Sequence, residues 1–278
     1  MSLAQATRTF FVTHLDGVTD TKTRGDALAT EEPLEIRVAG RSVAVVMRTP
    51  GHDRELAAGF LVTEKLIRHR DDVLDMTFCD DIQPDGITIP PGPRENILNV
   101  VLAPYVAVDF ARLSRNVFTS SSCGICSKAS IDAVRALFPP IAHPLSPSRR
   151  VLASLPEQLR AAQTGFAATG GSHASALFDA DGKLLAVRED VGRHNALDKI
   201  IGHAFFADRL PLAGHILLVS GRVSFEIVQK ALAAGIPCLA AISAPTTAAV
   251  ELARDSGQTL VGFLRGERMN VYAGTLAK

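Results

Sequence analysis

Tryptophan is absent from this chain and tyrosine occurs only twice in 278 residues. Aromatic platforms for stacking nucleic-acid bases are therefore not expected. Positive charge is not in excess either: lysine plus arginine equals aspartate plus glutamate, at 29 each. A general nucleic-acid binder would carry a basic surplus, so that class is set aside, while a local anion pocket stays compatible with neutrality. No apolar run approaches the ~18 residues of a membrane-spanning helix. Residues 1–13 show no basic start followed by an apolar core, so no secretory leader is expected. Gly-x-Gly-x-x-Gly and Walker patterns are missing, which removes the familiar dinucleotide and NTPase sites. Internal repeats and low-complexity tracts are missing too. Cysteine is scarce, with four in the chain. Two of them, Cys123 and Cys126, are clustered, which suits a cytosolic protein with one working cysteine site better than a disulfide framework.

What is present is 47% hydrophobic residues, enough for a sizeable core. The pattern divides the chain into an N-terminal α+β domain, residues 1–145, and an α/β domain, residues 146–278, with a proline-rich boundary at 141–150. The start, to about residue 30, is mixed and threonine-rich and reads as a frayed arm or edge strand. Leu34, Ile36 and Val38 then alternate with polar residues, Gly40 turns the chain and Val43 to Met47 return, a β-hairpin. A helix opens at His52-Asp53 with Leu56, Phe60, Thr63 and Ile67 on one face. Short strands are expected at 73–78, 87–89 and 97–102. Cys123 and Cys126 sit among small hydroxyl residues on a loop that feeds a helix carrying Ile131, Val134, Leu137 and Phe138, which Pro139-Pro140 stop.

In the second domain Ser154-Leu155-Pro156-Glu157 reads as a capping-box start of a helix reaching Gln163. A hairpin over 174–187 turns at Asp181-Gly182 and leads to a helix over 195–206. Strands 216–220, 238–243 and 260–264 then alternate with helices 225–234 and 246–255. Short apolar runs joined by helices mark parallel strands covered on both faces. The fold class is α/β, α+β for the whole chain.

Open α/β sheets bind ligands beyond the C-terminal ends of their parallel strands. Here those ends carry Ser220-Gly221-Arg222-Val223-Ser224, Ser243-Ala244-Pro245-Thr246-Thr247 and Phe263-Leu264-Arg265-Gly266-Glu267-Arg268. Hydroxyls, helix starts and guanidinium forks suit phosphates. The segment Arg188 to Asn195 is either a solvated strand–helix turn or a ligand-positioning loop with Arg193 and His194 at the helix start. His173 is more often structural or exposed in such a place than a metal ligand. The loop beside a helix N-terminus favours thiolate at Cys123 and Cys126. Three readings of the pair stay open. Zinc would need four ligands, and Cys79 and Cys238 are isolated, the latter inside an apolar strand. A thioredoxin-like couple lacks its βαβ frame. A nucleophilic cysteine could accept and pass on a group, as a persulfide carrier does.

Several runs resemble the FdhD-type formate dehydrogenase accessory sulfurtransferases. They are Ser121-Ser122-Cys123-Gly124-Ile125-Cys126, Gly170-Gly171-Ser172-His173-Ala174 and the long run from Arg188-Glu189-Asp190-Val191 to Asp198-Lys199. Ser220 to Glu226, Leu260 to Arg265, Thr49-Pro50 and Glu55 to Leu61 match as well. The resemblance implies a sulfurtransferase that takes persulfide sulfur from a cysteine desulfurase onto Cys123, with Cys126 as its partner. It would pass the sulfur to the molybdenum cofactor, in its bis-molybdopterin guanine dinucleotide form, for an apo formate dehydrogenase. The family's cofactor segment falls on Phe263, Leu264, Arg265, Gly266, Glu267 and Arg268. Ser220, Gly221, Arg222, Arg193 and His194 complete the candidate set at the same edge.

The resemblance also implies a cytoplasmic protein, no metal of its own, a possible homodimer and a C-terminal domain like cytidine deaminase. A deaminase places His-x-Glu and Pro-Cys-x-x-Cys where this chain has His194-Asn195-Ala196 and Ser220-Gly221-Arg222-Val223, so deamination itself is rejected. The alternatives are a cofactor-binding chaperone without sulfur transfer and a thiol–disulfide protein. After the first helix the family often reads Glu-Gly, where this chain has Glu64-Lys65.

Overall fold

The computed structural model describes residues 6–17, 20–78, 96–110 and 138–277. Cys79, the strand expected at 87–89, and Cys123 and Cys126 with their helix lie outside the described residues.

Of the two readings of the threonine-rich start, frayed arm or edge strand, the structure has strand. β1 (Thr7–Asp16) and β2 (Asp20–Ala29) pair antiparallel along their whole length. Branched threonine, stiff at χ1, suits extended backbone. Phe10 and Phe11 are exposed, so no apolar alternation announced the hairpin. A four-stranded sheet follows in the order β4-β3-β6-β5, built from β3 (Glu32–Val38), β4 (Arg41–Arg48), β5 (Val73–Phe78) and β6 (Ile97–Leu102). The alternating Leu34, Ile36 and Val38 do bury on its inner face.

Helix α1 (Asp53–Thr63) covers that sheet but stops before Ile67. Lys65, at φ 61°, takes the left-handed position. Leu66 N–H then bonds Leu61 O at 2.9 Å and Lys65 N–H bonds Val62 O at 3.0 Å. These are the two bonds of a Schellman ending, whose left-handed residue is usually glycine. The Glu64-Lys65 departure from Glu-Gly thus places a lysine in a glycine conformation. Ile67 still joins the core, from the loop.

The second sheet has six strands in the order β12-β11-β10-β9-β7-β8. They are β7 (His173–Phe178), β8 (Leu184–Asp190), β9 (Ile216–Val219), β10 (Cys238–Ala241), β11 (Thr259–Arg265) and β12 (Arg268–Ala273). β9, β10 and β11 are parallel, and every residue of β9 and β10 is buried. β12 was not expected; it returns antiparallel along β11.

Helix α2 (Arg149–Ala162) covers one face with Leu152, Leu155 and Leu159. It begins earlier than the capping-box pattern suggests. Ser148 Oγ accepts from Val151 N at 3.2 Å as the N-cap, while Ser154 Oγ donates back to Val151 O. Pro156 lies inside the helix, and Arg149-Arg150 form its first turn. A short helix, α3 (Thr164–Thr169), follows. On the other face lie α4 (Arg193–Phe206), α5 (Phe225–Ala233) and α6 (Thr247–Asp255). One apolar cluster there joins Leu34, Ile36, Leu56 and Leu61 to Leu197, Ile200, Leu217 and Leu239.

Within it α1 and α4 cross at two glycines. A Cβ on Gly59 would stand 1.8 Å from Asp198 O, and one on Gly202 1.8 Å from Glu55 O. Backbone meets backbone there, and only glycine permits it.

Candidate functional site

In the polar run from Arg188 to Asn195, Glu189, Asp190 and Asn195 are buried and the other residues half-buried, and its first three charges are each held by partners. Arg188, Glu189 and Asp190 are the end of β8 rather than a loop. Arg188 holds Glu55 of α1 through bonds of 2.5 and 2.7 Å. Burial would raise the Glu55 carboxyl, but Arg188 and His52 bind its ionised form and bring it down to about 2. Glu189 accepts from the N–H groups of Gly165 and Phe166, at 2.8 and 2.7 Å, and from Ser172 Oγ, so it caps α3.

Asp190 is completely buried. It pairs with Lys199 at 2.7 Å and accepts from Thr49 N, Gly192 N and Asn195 Nδ2. Lys199 also donates to Thr49 O at 2.8 Å, and Val191 N donates to Thr49 Oγ1. A buried charge is tolerated only with such pairing. These residues rivet Thr49-Pro50 to the second sheet. Of the run's charged and imidazole groups, Arg193 and His194 are left for the edge.

At that edge the three strand-end loops are stitched side by side. Val223 N donates to Ala244 O, Thr246 N to Val223 O and Phe263 N to Ser243 O, at 3.1, 2.9 and 3.1 Å. They are not equivalent as anion receptors. Thr246 Oγ1 accepts from Ala249 N and so caps α6. Gly192 and Ser224, the N-cap residues of α4 and α5, make no side-chain cap bond. The first-turn N–H groups of those two helices are thus not held by an N-cap side chain. Ser220 Oγ accepts from Ala174 N at 2.9 Å and can still donate.

The segment Phe263 to Arg268 divides by face. Leu264 is fully buried in the core against α2, so only its backbone can meet a ligand. Phe263 sits in a bulge between Gly262 and Arg265 with φ 52° and a ring that is 40% exposed. A bulge re-aims a side chain, and a left-handed phenylalanine costs about 1–2 kcal/mol of backbone strain. Gly266 and Glu267 make the exposed turn into β12, and Arg265 pairs in register with Arg268. Like charges directly opposite repel, so two facing arginines suit an anion between them. Arg222 is exposed on the neighbouring loop.

His194 Nε2 lies 3.4 Å from both Ser224 Oγ and Glu226 Oε2. Burial pushes its pKa down to about 4; Glu226 opposes this, while Arg193, Lys230 and His173 reinforce it. The ring is neutral near pH 7. Beneath it Lys230 and Asp198 form a second buried pair at 2.8 Å, completed by Thr63 Oγ1 at 3.0 Å. Cys238 is buried and its thiol is pushed up to about 12, which makes it unreactive. Among the described residues no group of three or more histidine, cysteine or acidic side chains is placed to hold a metal.

Sequence reasoning gave no role to His173 or Glu226. The signal for His173 was the hairpin register, which sets it opposite Asp190.

A model of the FdhD/NarQ family matches residues 29–277. The sulfur carrier protein FdhD of Mycobacterium tuberculosis is 54% identical over 252 residues, covering 90% of this chain and 91% of that one. Its namesake in Streptomyces coelicolor is 53% identical over 255 residues, covering 91% and 89%. That of Sulfolobus acidocaldarius is 44% identical over 247 residues, covering 89% of each. A crystal structure of a formate dehydrogenase accessory protein from Desulfotalea psychrophila superposes with a TM-score of 0.72, over 97% of both chains at 22% identity. That last likeness concerns the fold.

Proposed function

Because this chain belongs to the FdhD/NarQ family, we propose that it carries sulfur for the maturation of a formate dehydrogenase. The names of its relatives support the carrier role, and the stitched sheet edge supports an anionic recipient. In this reading a cysteine desulfurase presents a persulfide and the Cys123 thiolate attacks its terminal sulfur. The S–S bond of the donor breaks, the donor cysteine leaves as a thiolate, and Cys123 becomes the persulfide, with no net oxidation. Cys126 is its partner. The recipient is the molybdenum cofactor in its guanine dinucleotide form, a substrate rich in phosphate.

The observation that carries the reading is the edge itself. Two helix starts without side-chain caps, Arg193, exposed Arg222 and the facing pair Arg265 and Arg268 all serve the same strand ends. We read the second sheet as a cytidine-deaminase-like scaffold. Its antiparallel pair β7–β8 and parallel strands β9 to β11 follow that element order. Apo formate dehydrogenase is then the partner that receives the finished cofactor. No described helix is long and apolar enough to cross a membrane.

Incubation of the protein with a desulfurase and cysteine, followed by peptide mass spectrometry, tests the chemistry. The expected result is the mass of one sulfur atom added at Cys123 and lost in Cys123→Ala. Equal loading of the Cys123→Ala protein would remove Cys123 as the carrier.

A further inference from the structure

Two side chains from different elements crowd against the backbone of Gly221. A Cβ at residue 221 would stand 3.3 Å from His173 Nδ1 and 3.5 Å from both Cβ and Cδ of Arg193. His173 begins β7, Arg193 is the first residue of α4, and Gly221 follows β9. Arg193 Nε is buried and has no hydrogen-bond partner among the described residues. A buried guanidinium N–H without an acceptor is costly, and a ligand oxygen would satisfy it. His173 Nδ1 borders the same strip of backbone. A Cβ at residue 221 would press on both side chains, so glycine leaves them room to sit together there.

We propose that His173 and Arg193 form an anion subsite beside the backbone of Gly221, and that His173 takes up a proton when a phosphate-like group enters it. This rests on the reading of the sheet edge as a phosphate site. It adds a residue to that site and makes binding depend on pH.

The charged neighbours decide the direction. Burial holds the His173 ring below the usual histidine range, Arg193 adds to this, and Asp190 opposes it. Asp190 across the β7–β8 register is already neutralised by Lys199. His194 on α4 is more deeply buried and neutral. Ser220, at the end of β9, binds the Ala174 backbone and brings no charge. Without a ligand the balance at His173 therefore disfavours the imidazolium. An incoming dianion supplies the missing negative neighbour, raises the ring's proton affinity and turns Nδ1–H into a charge-assisted donor. Binding is then tightest at low pH and weakens as pH rises through the titration of the occupied form. The slope reaches up to about tenfold in affinity per pH unit, the limit for one linked proton.

The same oxyanion chemistry could come from a nucleotide phosphate or a free inorganic ion. The test is calorimetric titration of the full chain with guanosine diphosphate and, separately, with inorganic sulfate. Sulfate does not itself titrate near neutrality. Each is measured at pH 6 and pH 8, at matched ionic strength, in two buffers of different ionisation enthalpy, so that proton uptake is counted directly. Both ligands are expected to bind with proton uptake. His173→Asn, which keeps a donor near the Nδ1 position, should bind without uptake and with a flat pH profile. Gly221→Ala, with its fold checked by circular dichroism, should lose at least tenfold in affinity for both ligands.

Guanosine diphosphate binding without proton uptake, or with uptake unchanged in His173→Asn, would overturn the subsite and leave the phosphate-edge reading standing. Proton-linked binding of sulfate with no gain for the nucleotide would support the subsite and overturn the nucleotide reading. No binding of either ligand would overturn both.

Discussion

Lys199→Met is the sharpest test of how the two sheets are joined. Lys199 is fully buried, with Nζ 2.7 Å from Asp190 and 2.8 Å from Thr49 O. Methionine keeps the stem and much of its packing but removes the cation. Breaking a buried pair by removing one partner costs about 3–5 kcal/mol. Three N–H donors still hold Asp190, from Thr49, Gly192 and Asn195. The loss therefore falls at the lower end, about 3 kcal/mol. At roughly 2–4 °C per kcal/mol for a chain of this order, the melting temperature should fall by about 6–12 °C. Urea unfolding of the wild type, Lys199→Met, Asp190→Asn and the double variant measures the coupling directly. The double variant should be more stable than the sum of the single losses, because neither partner is left charged alone. Amide exchange at Thr49 and Val191 should accelerate in Lys199→Met, since both belong to the same rivet. A loss under about 1 kcal/mol with no coupling would refute the pairing as the joint between the sheets.

Gly202→Ala should destabilise by at least about 1–3 kcal/mol in urea unfolding, because the new methyl collides with backbone rather than a movable side chain; a neutral result would mean that α1 and α4 do not touch there. Glu55 has a folded pKa of about 2 against an ordinary 4.5, so its pairing with Arg188 and His52 stabilises above pH 4.5 and is lost as pH falls towards 2. Glu55→Gln should therefore lower stability at pH 7 and converge on the wild type between pH 4.5 and 2, and parallel pH–stability curves would contradict this.

The parallel strands were legible because β9 and β10 are unbroken apolar runs, which only burial on both faces explains. β12 was not, and β1 and β2 were legible only as an arm or edge strand, since their exposed residues leave no alternation to read. Pro156 concealed the first half of α2, and a lysine at a left-handed position concealed where α1 ends.

At the site, the placement of three loops at one edge followed from a rule about sheets. Which of them keep free N–H groups depended on whether one threonine, Thr246, turns inward to cap its own helix. The run from Arg188 to Asn195 looked like a solvated turn because its partners, Thr49, Glu55 and Lys199, are distant in sequence or on the next helix. Charge density in a sequence does not reveal burial when the compensating charge comes from elsewhere. Cys123 and Cys126, the most legible chemistry in the sequence, lie outside the described residues.

The Gly59–Gly202 crossing has a mechanical consequence. At Gly59 and Gly202 no side chain separates α1 from α4, so no rotamer change can absorb a shift at those two points. A tilt of α1 must be carried by α4 as a whole. The far end of α4 is Arg193 and His194, beside the strand-end loops of the second sheet. The position of the four-stranded sheet is therefore transmitted to that edge as through a rigid lever, with the two glycines as its bearing.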